Sequence, residues 1–227
     1  MLVEPPVDPT LDALDQALLA AVRARIAAGP RASVDADILA VRAQLDEAGT
    51  SDVTVLRALL GRLDLATGSP LTVWGPAARL LAVDRYGLTI QSAADAEAAL
   101  ATVQGSGRAL IDLGGGRPWW GMLLARPALQ VTGALPDDRH GRPQALMIET
   151  RTPGPTGDDR TFWVSDSPAP EAKITTALEA AGLVASPLIA TGGLKLFMLA
   201  GYVQADDPRL TGAPGSLTGI IGAAPVF

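Results

Sequence analysis

Apolar residues recur along the chain in two different rhythms. From residue 9 to residue 67 they fall three and four apart. Leu11, Leu14, Leu18, Val22 and Ile26 form one stripe, Val34, Ile38, Val41 and Leu45 a second, and Val55, Leu56, Leu59, Leu60 and Leu63 a third. That spacing puts each set on one face of a helix. The punctuation agrees. Asp8-Pro9-Thr10 offers a capping oxygen and then a proline whose missing N–H costs nothing at a helix start, and Gly29-Pro30 stops the helix. Ser33 caps the second helix, with Asp35 and Asp37 in the first turn, where the helix dipole favours them. Gly49-Thr50-Ser51 breaks the chain, and the third helix ends near Gly68. Stripes this narrow bury little alone, so each helix wants another to face, and dimerisation through this segment is expected.

Beyond residue 70 the rhythm changes. Residues 71–74 read as a buried strand. Gly75-Pro76 starts a helix through Arg85 that Gly87 closes, and 88–90 is a short extended piece. Ser92, with Asp95 three residues on, caps a helix running to Val103. Residues 108–113, 129–134 and 145–148 read as strands, with a helical turn over 119–125. Strands alternating with helices predict a mostly parallel sheet. The last third runs strand 161–164, helix 171–181 with Ile174, Leu178 and Ala181 inward, and strands 184–190 and 194–202 turning at Thr191-Gly192-Gly193. A shorter helix from Asp206 and a strand over 220–226 complete a βαββαβ order, that of a ferredoxin-like unit.

Composition narrows the chemistry. With 227 residues, 48% of them hydrophobic, the chain is long and apolar enough for one large or two small folded domains. A formal charge of −6 and scattered arginines argue against a nucleic-acid partner. There is no cysteine, and His140 is the single histidine, so no thiolate, disulfide or sulfur-based metal site exists, and zinc would have to rely on carboxylates. Asp158-Asp159 and Asp206-Asp207 read as caps and turns rather than calcium ligands. No metal and no cofactor are expected. Gly114-Gly115-Gly116 reads as a plain turn, and His140 as a solvated loop residue. Trp119 and Trp120 point about 100° apart on a helix, so at least one belongs to the core. The acidic, proline-rich start lacks the pattern of a signal peptide, and no apolar run approaches the ~20 residues that span a bilayer, so a cytoplasmic protein without membrane contact is expected.

Three stretches resemble enzymes of aromatic amino-acid biosynthesis. Pro155-Thr156-Gly157-Asp158-Asp159-Arg160-Thr161 resembles the Pro-Thr-Gly-x-Asp-Lys-Thr run at which prephenate dehydratases pass from catalytic domain to regulatory ACT domain. Val73-Trp74-Gly75-Pro76 and residues 109–113 are similar to strands of that enzyme's first lobe. Leu14-Asp15-Gln16-Ala17-Leu18-Leu19, followed by Arg25, is similar to the first helix of the all-helical chorismate mutases. The resemblance implies an α+β protein in three parts: a chorismate-mutase-like three-helix arm over 1–68, a half-sized α/β prephenate-dehydratase-like lobe over 70–152, and an ACT-like ferredoxin-like unit over 158–227.

The departures concern the chemistry. Asp8 stands where the mutases carry a second arginine, and no Gln or Glu occurs between residues 53 and 90, where their third helix has a glutamine. The dehydratase's Thr-Arg-Phe reads Pro143-Gln144-Ala145, its Glu-Asn loop reads as glycines after Leu113, and a second lobe is missing. The phenylalanine motifs of the ACT domain read Pro168-Ala169-Pro170 and Ser186-Pro187-Leu188. These features together imply a degenerate homologue with little catalysis, a homodimer binding a small anionic metabolite (chorismate, prephenate or phenylalanine) or a partner protein. Two alternatives stay open. One is an active chorismate mutase rebuilt around Arg25, Arg31, Asp35, Arg42 and Arg62; the other is a purely structural interaction protein. Electrostatics divides them, since a dianion is held tightly only where several guanidinium groups converge.

Overall fold

The computed structural model describes residues 9–29, 34–46, 49–105 and 107–227; Asp8, Arg31 and Ser33 lie outside them, as does the side chain of Asp35. Three helices come first, α1 (Pro9–Ala27), α2 (Val34–Asp46) and α3 (Thr50–Thr67). Then follow β1 (Leu71–Trp74), α4 (Pro76–Tyr86), β2 (Gln91–Ser92), α5 (Ala96–Val103), β3 (Arg108–Asp112), a 3₁₀ turn (Trp119–Ala125), β4 (Gln130–Leu135) and β5 (Ala145–Glu149). The chain ends with β6 (Asp159–Ser165), α6 (Glu171–Ala180), β7 (Ala185–Thr191), β8 (Leu194–Ala200), a 3₁₀ turn (Pro208–Leu210) and β9 (Thr218–Pro225).

The strands form one nine-stranded mixed sheet in the order β2-β1-β3-β5-β4-β9-β6-β8-β7. The mostly parallel sheet expected for the middle third is not what forms. β1 is parallel to β2 and β3, but β5 is antiparallel to both β3 and β4. The reason is the 136–144 connection, which carries no crossover helix and so returns the chain antiparallel. In the last third β6 pairs antiparallel with β8 and β9, and β7 with β8. Its spatial order is therefore fourth, first, third, second. The second helix expected there is only the short 3₁₀ turn, with Asp207 accepting from the Arg209 N–H.

Local corrections have local causes. The extended piece expected at 88–90 lies at Gln91–Ser92, where it pairs with Thr72 and Val73. Ser92 is thus a strand residue, and Asp95 caps α5 instead, its carboxylate accepting from Ala98 N at 2.7 Å. Both tryptophans are core, because the 3₁₀ turn packs against the sheet and buries each of them. The stripe of α1 is exposed: no residue of the helix is buried, and Leu11, Leu14 and Leu18 keep more than half their surface. Val55 of α3 also faces solvent, whereas Leu63 is buried.

Two layers cover the sheet. α4 packs Ala78 and Ala82 against Leu71, Val73, Leu110 and Met147 on one face. On the other, Leu100 and Val103 of α5 and Trp119 and Trp120 share a cluster with Ile111 and Ile148, and the same cluster takes in Phe162, Val164, Leu196 and Ile221 from the last third. α6 closes the far end over Trp163, Phe197 and Leu199. Where β4 meets β9 the backbones nearly touch. A Cβ on Gly222, whose φ is +135°, would lie 2.2 Å from the Val131 carbonyl oxygen.

Candidate functional site

The Pro155–Thr161 run that carries the sequence resemblance is a structural clasp. Asp159 is buried, and its carboxylate accepts from Thr156 N (2.8 Å), Thr156 Oγ1 (2.6 Å) and Gly157 N (3.2 Å). Arg160, also buried, donates to the carbonyls of Asp138, Arg139 and Gly141 and fixes the 137–142 loop. Thr161 bridges Gly201 O and Val203 N. No buried side-chain nitrogen or oxygen of the run lacks a partner, as burial demands.

Arg42 of α2 reaches across to this clasp. Its guanidinium donates to the carbonyls of Thr156 (2.6 Å), Asp158 (2.9 Å) and Val226 (2.8 Å) and lies 5.7 Å from the centre of the Phe227 ring. It therefore ties the helical arm to the end of the chain. Arg62 is exposed on α3 and donates back to Ala58 O. Arg25 is half-buried at the end of α1 and donates to Gly29 O at 2.6 Å. Among the five residues singled out in the sequence, Arg25 faces a cavity; Arg42 and Arg62 do not line it, and Arg31 and the Asp35 side chain lie outside the described residues.

That cavity, about 360 Å³, lies between the helical arm and the β4–β5 face of the sheet. Its apolar wall comes from Ile38, Val41, Leu60, Leu63, Leu135, Met147 and Phe227. Its charged wall brings together Arg25, Arg85, Arg108 and Arg151 with Asp64, Asp137 and Glu149. The volume falls in the range of small-molecule sites, about 300–1,000 Å³.

Three of the four guanidiniums are already engaged. Arg85 bonds Asp137 at 3.0 Å, and Arg57, behind it, approaches the other Asp137 oxygen at 3.4 Å. Arg151 bonds Glu149 at 3.0 Å. Arg108 bonds Asp64 and donates to Ser69 O. Burial works against the Arg108 charge, but the Asp64 carboxylate more than offsets this and holds its pKa above the ordinary arginine value. Arg25 is the cavity guanidinium bonded to no carboxylate among the described residues. With Arg57 included, positive charge exceeds negative, so the wall favours an anion.

Tyr86 and Thr132 join Thr67 and Ser69 in the lining. Loss of water around the Tyr86 phenol pushes its pKa up to about 12, with the Arg85 charge pulling the other way, so it stays a neutral donor. Thr132 sits on β4 where the register with β5 shifts between Val131 and Gly133. The sequence reading passed over Arg85, Tyr86, Arg108, Thr132, Asp137 and Arg151. One signal was present: Arg85-Tyr86 closes a helix just before Gly87, setting a cation and a phenol at one helix end.

No family model matches this chain, and no curated protein matches it. Solved structures with some likeness include GqqA, described as a novel type of quorum quenching acylase (18% identity over 69% of this chain and 95% of that one, TM-score 0.47). They also include prephenate dehydratase from Streptococcus mutans (10% identity, 70% and 98%, TM-score 0.42) and prephenate dehydratase from Arthrobacter aurescens in complex with L-Phe (11% identity, 69% and 90%, TM-score 0.38). Likeness of this degree leaves function to the residues themselves. Among the described residues no helix is long and apolar enough to cross a membrane, and no acidic or histidine cluster could hold a metal ion.

Proposed function

We propose that this protein is a binding protein for a small anionic metabolite, a degenerate relative of the chorismate mutase/prephenate dehydratase enzymes with little or no catalysis of its own. The observation that carries the reading is the cavity between arm and sheet, where an excess of guanidinium groups faces an apolar wall. The sequence resemblance suggests chorismate, prephenate or phenylalanine as first ligands to try. The ACT-like reading of the last third is supported by its 4-1-3-2 strand order. Homodimerisation through α1 is supported by the exposed row of Leu11, Leu14, Leu18 and Ile26, which a second copy of the helix would cover.

A second reading, a working mutase with a rebuilt site, draws on the same convergence of arginines. It is the weaker one. A dianion would have to displace Asp64, Asp137 or Glu149 from partly buried pairs, and breaking such pairs is costly. Thermal stabilisation by the three metabolites, run beside a chorismate turnover assay, separates the readings. A ligand at 100 times its Kd raises stability by about 2.7 kcal/mol. Binding without turnover, weakened in Arg25→Ala, is the expected result. Turnover at the rate of a genuine mutase would sink the pseudoenzyme reading, and stabilisation unchanged in Arg25→Ala would sink the cavity as the site.

A further inference from the structure

The last third is short of a helix, and a pocket opens beside the turn that replaces it. The 3₁₀ turn Pro208–Leu210 packs Leu210 into the cluster that holds Trp163 and Ile174, but three residues cover little of a sheet face. About 200 Å³ is left over Trp163, rimmed by Asp206, Asp207, Thr211 and Thr218. This pocket shares no residue with the cavity between arm and sheet, and neither 168–170 nor 186–188 lines it.

Trp163 is the telling group. It is 1% exposed, and Phe197 fixes its ring, 5.5 Å away and tilted by 48°. Its indole N–H meets no acceptor among the described residues, yet, unlike the Trp120 N–H, it is not sealed from water. The little surface that Trp163 keeps therefore includes its one hydrogen-bond donor, and the pocket it lines is this one. An indole N–H can only donate, and a buried polar group calls for a partner. Charge decides the other end of the pocket. Arg209 neutralises Asp207, bonding its carboxylate through Nε (3.0 Å) and Nη2 (2.7 Å). Asp206 has no ion pair and no side-chain hydrogen bond among the described residues, and the Thr211 and Thr218 hydroxyls are equally unbonded. The rim is thus left with a net negative charge beside a fixed donor.

We propose that this pocket binds a small organic cation, an amine with a neutral oxygen close to its ammonium group. The ammonium sits on Asp206, and the oxygen accepts from the Trp163 N–H. A plain alkylamine would leave the indole N–H unpaired. A carboxylate in place of the neutral oxygen would set a second negative charge beside Asp206. The threonine hydroxyls donate or accept, so both an alcohol and an amide carbonyl suit them.

Proton–nitrogen correlation spectra of the full, isotope-labelled chain test this. Its four tryptophans give four indole resonances, and contact with the Phe197 ring identifies that of Trp163. The probes are ethanolamine and glycinamide, with ethylamine, acetamide and glycine as controls. The better of the two probes should move the Trp163 resonance alone. It should bind about tenfold more tightly than ethylamine, the discrimination one hydrogen bond to a buried group gives. It should also bind more tightly than acetamide or glycine. Asp206→Asn, at an exposed position, should weaken it about threefold, the reach of an exposed ion pair, while the response to acetamide stays the same. A Trp163 resonance that stays put with every probe, or follows ethylamine equally well, overturns the proposal. So does glycine binding as tightly as glycinamide, or amine binding untouched in Asp206→Asn.

Discussion

Tyr86 shows how one side chain records its surroundings. In the unfolded chain its phenol ionises near pH 10; in the folded protein it holds its proton to about 12. The folded state therefore binds more protons in that window, and stability present below pH 10 is lost as the pH climbs towards 12. Urea unfolding at pH 9 and pH 11.5 should show this, and Tyr86→Phe should flatten the fall by roughly 2 kcal/mol. A slope unchanged by the substitution would mean that the phenol is better solvated than its position indicates. The sequence pattern assigned Tyr86 no role: the expected helix ran through Arg85 and closed at Gly87. Beyond burial, the charges of Asp64, Arg108 and Asp137 act on it from three other segments, and no local pattern reports that. Arg25 was legible because its helix resembles a known one. Arg42 was legible as a cation, but not as a tie: its partners lie 114 to 184 residues away, at a distance in sequence that residue spacing cannot measure.

Among the elements, the helices and most strands could be read directly, because their stripes and caps are local. Pairing could not. Ser92 and Asp95 are both good capping residues, and only the parallel partner β1 decides that the first belongs to a strand. The direction of β5 follows from a connection too short for a crossover, visible in hindsight as the absence of any helical pattern over 136–144. Arg42 links the helical arm to the clasp. Arg42→Met keeps much of the side chain's bulk but removes its donors. We expect α2 to exchange its amide hydrogens faster, with a local loss of about 1.5–3 kcal/mol, the range for hydrogen bonds from a charged group, while β3 and β5 keep their protection. Identical exchange across α2 would show that packing alone holds the arm.

At the scale of the molecule, the seam between β4 and β9 matters most. It joins the middle and last thirds into one sheet through a glycine set hard against the facing backbone. Gly222→Ala cannot be accommodated by moving a side chain, because the atoms in the way are Val131 N, Cα and O. Its φ is unfavourable for alanine as well. The expected outcome is a loss of more than about 3 kcal/mol, seen as a large fall in the urea midpoint or as insolubility. A variant of ordinary stability would mean that the seam can open without harm to either side.

The apolar layer that runs unbroken from Leu100 through Trp120 to Phe162 and Leu196 has a consequence for descent. Proteins whose parts are strung on a tether can drop, trade or duplicate a part in a single genetic event. Here a truncation after residue 152 would leave two tryptophans facing water, and a truncation before residue 158 would do the same to the inner side of β6. Such a lineage changes by substitution within a whole inherited body.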